Sequence, residues 1–151
     1  MSSLLERKNV LIVKEYLKEF DKSIELIELD SSARTAKDAA NSLRKEVGSI
    51  VKSLLFKDTN NNFYLCLVSG DKYISLNKLS KIINKEVHKA NADDVKKQTG
   101  FSIGGVSPIA HTYPPTKIFI DEYLNRFARI YAAAGHPYVV FEITFQKLCL
   151  M

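Results

Sequence analysis

Apolar and polar positions recur with two different periods along this chain, and the changes of period mark its elements. Val10, Val13, Leu17 and Phe20 recur at spacings of three and four, the repeat of one helix face. Ser3 and Glu6 ahead of them form a capping box, so a helix is expected over residues 3–20. Residues 24–29 are a short apolar run suited to a strand. After a loop at 31–34, Thr35 and Asp38 read as another cap. They open a helix through about Lys45 whose Ala36, Ala39, Ala40 and Leu43 make a narrow face able to pack closely. Gly48 follows its end. Over residues 49–57 the period becomes two, and a strand there puts Ile50, Lys52, Leu54 and Phe56 on one face. Asp58-Thr59-Asn60-Asn61-Asn62 is a turn by composition, and the apolar run 63–69 returns as the second arm of a hairpin. Gly70-Asp71 turns the chain again, with residues 73–75 as a short third strand.

The second half begins with Leu76, Leu79, Ile82 and Ile83 on the dry side of a helix and Lys78, Lys81 and Lys85 on its wet side. The next helix is fully signalled: Asn91 as cap, Asp93 and Asp94 in the first turn, Lys96 and Lys97 in the last, Gly100 at the end. It delivers the chain into Thr99-Gly100-Phe101-Ser102-Ile103-Gly104-Gly105-Val106-Ser107-Pro108, which holds three of the six glycines. Beyond it come a polar connection at 111–115, a strand at 117–120, a short helix capped by Asp121 and running to about Phe127, and a strand at 130–134. The chain then turns at Gly135-His136-Pro137. A strong strand at 138–143 and a final short helix capped by Thr144 complete it. Hairpin strands with irregularly placed helices, no repeat and no linker predict one α+β domain of 151 residues, with a mixed, largely antiparallel sheet flanked by helices.

Composition narrows the partners. The chain is 46% hydrophobic and 26% charged, long enough to bury a core without disulfides or a structural metal. Cys66 and Cys149 stand far apart in no ligand spacing, as expected of free thiols in a reducing compartment. The N-terminus turns charged before an apolar run develops, and no run approaches the ~18 residues of a membrane span. A cytoplasmic protein without a membrane partner is expected. The net charge is +5, and residues 44–97 carry all of it, with 11 basic and 6 acidic residues. That excess suits an anionic partner such as RNA, and equally a solvated lysine-rich surface.

Two stretches can carry chemistry. Lys52 is the one charge in an apolar row. If that face is buried, the lysine is functional, is held in a structural ion pair, or reaches outward along its stem. The paired Gly104-Gly105 can bring backbone N–H groups onto an oxygen as an anion nest or oxyanion hole, or can simply connect two elements. His88, His111 and His136 have no Cys or carboxylate at a metal-ligand spacing, so neither metal nor cofactor is expected. No phosphate-binding loop, dinucleotide fingerprint or nucleophile elbow occurs. Cys66 falls mid-strand, where a buried inert thiol is the simplest reading; a small-molecule hydrolase using it is the competing one.

Taken together, Thr35-Ala36-Lys37-Asp38-Ala39-Ala40, Ile50-Val51-Lys52-Ser53-Leu54, Val68-Ser69-Gly70, the run from Thr99 to Pro108, Ile120-Asp121 and Ala134-Gly135 resemble the YbaK/ProX-type aminoacyl-tRNA deacylase family, in order and spacing over nearly the whole chain. The resemblance implies a barrel-like sheet and a free-standing domain related to the editing insertion of bacterial prolyl-tRNA synthetase. Such domains hydrolyse the ester joining a wrong amino acid to the terminal adenosine of tRNA. It places the family's essential lysine on Lys52 and its adenosine-holding G-x-x-x-P loop on Gly104 to Pro108. Catalysis would use no metal and no protein nucleophile, with the ribose 2′-OH and a water assisting. Lys52, Gly104 and Gly105 are thus the expected catalytic residues, and Ile50, Leu54, Phe56, Val106, Ser107, Pro108 and His136 the expected substrate wall. Mischarged tRNA, with or without a synthetase, is the expected partner, and DNA is not. One branch of the family has Arg-Gly where this chain has His136-Pro137, which bears on the amino acid removed. A non-catalytic module of the same fold, holding a tRNA end or a synthetase, is the alternative.

Overall fold

The computed structural model describes residues 4–151. Ser3, and with it the expected capping box, lies outside the described residues. Leu4–Glu6 form a 3-10 turn, and the first helix, α1, is Lys8–Phe20, with Arg7 at its N-cap making no side-chain cap bond. The other helices begin where the caps predict. Thr35 caps α2 (Ala36–Leu43) by accepting from the Asp38 N–H, and Thr144 caps α5 (Phe145–Leu150); α3 (Leu76–Ile83) is the exception, capped by Ser75, which was expected in a strand. Asn91 and Asp94 form a reciprocal capping box on α4 (Ala92–Thr99), which ends on Gly100 at φ +85°, a left-handed angle glycine adopts without strain. After Asp121 the chain makes a 3-10 segment, Glu122–Arg126, in place of a short helix.

Seven strands make one sheet: β1 Leu26–Glu28, β2 Ile50–Asp58, β3 Phe63–Ser69, β4 Val87–Lys89, β5 Lys117–Ile120, β6 Ile130–His136 and β7 Val139–Ile143. The order is β1-β7-β6-β2-β3-β5, with β4 also paired to β2. The pairs β1/β7, β2/β3, β2/β4 and β6/β7 are antiparallel, and β2/β6 and β3/β5 are parallel. The sheet is therefore mixed and largely antiparallel, as expected. It is not barrel-like: among the described residues the outer edges of β1 and β5 have no partner strand, and the sheet is open.

Two local expectations change, and one strand appears that the sequence did not signal. Residues 73–75 are not a strand; they lead into the cap of α3. Strand β4 has only three residues, with Val87 buried and His88 and Lys89 exposed, too few to show a period. Gly135 and His136 are the end of β6, not a turn, and the turn falls on Pro137 and Tyr138. A register shift between Ala133 and His136 makes a bulge there, with Gly135 at φ +89° and no room for a Cβ beside the Asn9 carbonyl. The bulge presses β6 onto α1 and re-aims the residue after it, a common use of bulges beside sites.

The two faces of the sheet are covered differently. On one, Val10, Val13 and Leu17 of α1 join Val51, Leu55, Leu65, Leu67, Phe101, Phe141 and Ile143 in a continuous core. The other carries two smaller clusters. Ile50 and Tyr131 pack under Ala39 and Ala40 of α2. Phe56, Tyr64, Cys66 and Val68 pack under Leu79 of α3, with Val87.

Candidate functional site

Strand β2 positions the site because it changes neighbours halfway along. One edge pairs with β3 from Val51↔Ser69 to Lys57↔Phe63. The other pairs with β6 only at Ile50 and Val51, and with β4 only from Phe56 to Asp58. Residues 52–54 have no strand neighbour on that edge among the described residues. A cavity of about 340 Å³ opens there. Ala33, Arg34, Thr35, Ala36 and Ala39 wall it from the start of α2, Ile50 to Leu55 from β2, Ile103, Gly104 and Val106 from the glycine loop, and Tyr131, Ala133, His136 and Val140 from β6 and β7.

Lys52 lies between the α2 and α3 clusters, half-buried. Its Nζ donates to the Lys72 carbonyl and sits 4.7 Å from the centre of the Tyr73 ring. Among the described residues no carboxylate comes within 4.0 Å of it, so the structural ion pair left open by the sequence is not formed. Burial lowers the ammonium pKa from its usual value, while Asp71 and Asp121 pull it back up. The 70–73 segment over Lys52 is anchored by Ser69. The Ser69 N–H donates to Asp121 (3.0 Å), its hydroxyl donates to the Gly48 carbonyl, and Arg126 donates both to that hydroxyl (3.0 Å) and to Asp71 (2.8 Å). Thus Val68-Ser69-Gly70 and Ile120-Asp121 act as supports, holding the strap beneath which the ammonium sits.

The glycine loop is tied down at both ends. The Thr99 hydroxyl donates to the Val95 carbonyl and accepts from the Phe101 N–H, and Thr112 and Tyr113 donate back to Thr99 and Gln98. The His111 Nε2 donates to the Ser107 carbonyl at 2.6 Å, and burial lowers this imidazole's pKa. Gly104 has φ +94°, and a Cβ on Gly105 would come 3.0 Å from the His136 backbone. Of the Gly104-Gly105 pair, Gly104 alone needs positive φ; Gly105 is small because another strand passes close. The Gly105 N–H already donates to the Ser102 carbonyl and cannot serve an incoming oxygen without breaking that bond. The N–H groups of Gly104 and Val106, both at the cavity, have no acceptor among the described residues.

The expected substrate wall divides. Ile50, Leu54, Val106 and His136 line the cavity with Lys52 and Gly104. Phe56 does not: its alternation with Lys52 holds, but α3 and Val87 cover it. Ser107 is fully buried and closes its own turn by accepting from the Ile109 N–H. Pro108 faces a second cavity, with Tyr16, His111 and Cys149. His136 Nδ1 accepts from the Tyr138 N–H (3.1 Å), which leaves the proton of the neutral ring on Nε2, and burial together with Arg7 lowers its pKa. Arg34, Ser53 and Tyr131 line the cavity unforeseen. The Ser53 hydroxyl is buried there without a partner; its place in the motif Ile50-Val51-Lys52-Ser53-Leu54 was its signal in sequence. Cys66 is buried beneath α3, and burial pushes its thiol up to about 12. Among the described residues no three His, Cys, Asp or Glu side chains gather as a metal site requires, and no helix is long and apolar enough to cross a membrane.

An open mixed sheet whose central strand parts from its neighbour over a lysine, facing a glycine loop, defines a small α+β domain with one amphiphilic cleft. Over residues 30–149 the chain matches the aminoacyl-tRNA editing domain family, and it belongs to that family. It superposes with a TM-score of 0.86 on the crystal structure of a candidate trans-editing enzyme for prolyl-tRNA synthetase. The two are 35% identical, over 94% of this chain and 90% of that one. The uncharacterized protein YwhH of Bacillus subtilis is 26% identical over 90% of this chain and 86% of its own length. The proline–tRNA ligase of Lactobacillus acidophilus is 33% identical over 67% of this chain, which spans only 18% of the ligase.

Proposed function

We propose that this protein hydrolyses the ester of mischarged tRNA in trans, in the cytoplasm, without a metal. The observation that carries the reading is Lys52: a half-buried ammonium on a largely apolar cleft, held among the described residues by a carbonyl and a ring face alone. Such a cation stays available to an anionic or carbonyl oxygen, and a charge-assisted hydrogen bond of this kind contributes roughly 1.5–3 kcal/mol. Lys52 would hold the aminoacylated 3′ end, and the N–H groups of Gly104 and Val106 would receive charge developing on the carbonyl oxygen. One such donor lowers a barrier by about 2.7–4 kcal/mol. Water adds to the carbonyl carbon, the bond to the ribose oxygen breaks, and that oxygen leaves protonated. The ester is activated already, so no protein nucleophile is required, and the buried Cys66 thiol is placed for none. A cavity of about 340 Å³ with Ala33, Ala36 and Ala39 on one side suits a small amino acid.

The test is a panel of aminoacyl-tRNAs, followed for loss of the ester with and without EDTA and after thiol alkylation. Hydrolysis of one or a few mischarged species, unchanged by either treatment, is the expected result. Loss with EDTA and recovery with zinc would remove the metal-free mechanism. Salt-sensitive tRNA binding with no hydrolysis of any species would leave the non-catalytic module, acting on a tRNA end or beside prolyl-tRNA synthetase.

A further inference from the structure

The segment that shelters Lys52 also builds a surface outside the cleft. Tyr73 is 93% exposed, an unusual state for so large a ring. One side of it lies 4.7 Å from the Lys52 ammonium, and the rest stands in water. The next residue back, Lys72, places its Nζ 4.8 Å from the ring centre of Tyr123, itself 52% exposed. The Arg126 guanidinium lies 5.6 Å from the same ring and 4.9 Å from that of Phe127. The Asp71–Arg126 ion pair and the Ser69 bonds hold these groups to the sheet. The result is two exposed aromatic faces interleaved with cations, continuous with the cleft through Lys52. The stretch that carries the chain's whole charge excess, residues 44–97, includes Lys52 and Lys72.

We infer that Tyr73 and Tyr123, with Lys72 and Arg126, form a stacking platform for the unpaired nucleotides that precede the terminal adenosine of an RNA 3′ end. Aromatic faces accept any base, and flanking cations follow the phosphates. A folded protein partner would favour an apolar, desolvated patch instead, and these rings are ringed by charge. The inference rests on the proposed function for the direction of the strand, with its terminal nucleotide at the Gly104 loop and its preceding ones over Tyr73. The platform itself rests on exposure and charge alone.

The test is fluorescence anisotropy with a 5′-labelled RNA tetranucleotide ACCA, and in parallel with a blunt RNA duplex. The proteins are the wild type and the Tyr73→Ala, Tyr73→Phe, Tyr123→Ala and Lys72→Ala variants. These side chains are at the surface, and a melting curve confirms that each variant is folded. Tyr73→Ala and Tyr123→Ala should each weaken ACCA binding about tenfold, and Tyr73→Phe should stay within about twofold of the wild type, because the ring face and not the hydroxyl is used. Lys72→Ala should weaken binding and flatten its salt dependence, and duplex binding should not respond to either tyrosine. Undiminished ACCA binding by the Tyr73→Ala and Tyr123→Ala variants, no ACCA binding by the wild type, or equal losses on the duplex would each overturn the platform. Deacylation by the wild type is scored separately. Tyr73-dependent ACCA binding without hydrolysis keeps the platform and removes the enzyme, and hydrolysis with Tyr73-independent binding does the reverse.

Discussion

The two faces of one sheet are built to different standards in this protein. On the α1 face, Phe141, Leu65 and Ile143 are wholly buried in one continuous core, with the second cavity at its margin beside Tyr16 and Pro108. On the opposite face, α2 and α3 cover separate patches, and between them β2 leaves β6 before it reaches β4. Beside that gap lie a half-buried ammonium with no carboxylate within 4.0 Å, the Ser53 hydroxyl with no partner, and the Gly104 and Val106 N–H groups with no acceptor, all among the described residues. Unpaired polar groups cost free energy in a closed interior. Under the proposed function, a ligand's own oxygens would satisfy those at the opening. The proposed function thus assigns stability mainly to the α1 face and binding to the opening.

Substitutions can break that division. The largest effect is expected on the closed face, where Phe141→Ala should cost about 3–5 kcal/mol of stability by leaving a cavity. Leu54→Ala, at the cleft, should cost much less, and equal losses in denaturant unfolding would erase the distinction. Next comes Lys52→Met, which should lower single-turnover deacylation by about 10²–10³-fold, as loss of one positioned donor does. The melting temperature should hold or rise, because the fold lowers the pKa of this ammonium by burial and so gains when the charge is removed. Lys52→Arg should rescue little, since a planar fork does not replace a compact ammonium. A folded Lys52→Met protein with near wild-type hydrolysis would sink the assignment.

Gly105→Val tests where the cleft is closest. With a Cβ 3.0 Å from the His136 backbone, overpacking of roughly 1–3 kcal/mol is expected. It should appear as lost activity more than lost fold, and wild-type turnover would make the loop a mere connector. The smallest effect is a slope. Burial lowers the pKa of both His111 and His136 below the unfolded value, so the unfolded chain binds protons more readily. Stability is then fully present above the ordinary histidine range and falls as the pH drops through it, from about 6.5 downward. His111→Gln should flatten that slope in urea melts between pH 7 and 5; an unchanged slope would assign it to other groups.

Much of this architecture is legible in the residues because its causes are local. Thr35 with Asp38, Asn91 with Asp94, and Thr144 with Lys147 mark helix starts through bonds spanning three residues. The turn at residues 58–62 follows from Asp58 accepting from the Asn60 and Asn62 N–H groups. Alternation alone puts Ile50, Lys52, Leu54 and Phe56 on one face. What that face meets is another matter. Phe56 is covered by α3 and Leu54 is not. Ser107 and Pro108 belong to the loop's own interior and to the far cavity. His136 extends a strand, because a bulge over Asn9 allows it. The sheet stays open, and β2 parts from β6, because strand ends distant in sequence come to lie together or apart. No period or spacing within a segment records such pairings. The sequence determined most of the elements and singled out Lys52; the neighbours of Lys52, and the opening beside it, were decided only when the layers closed around it.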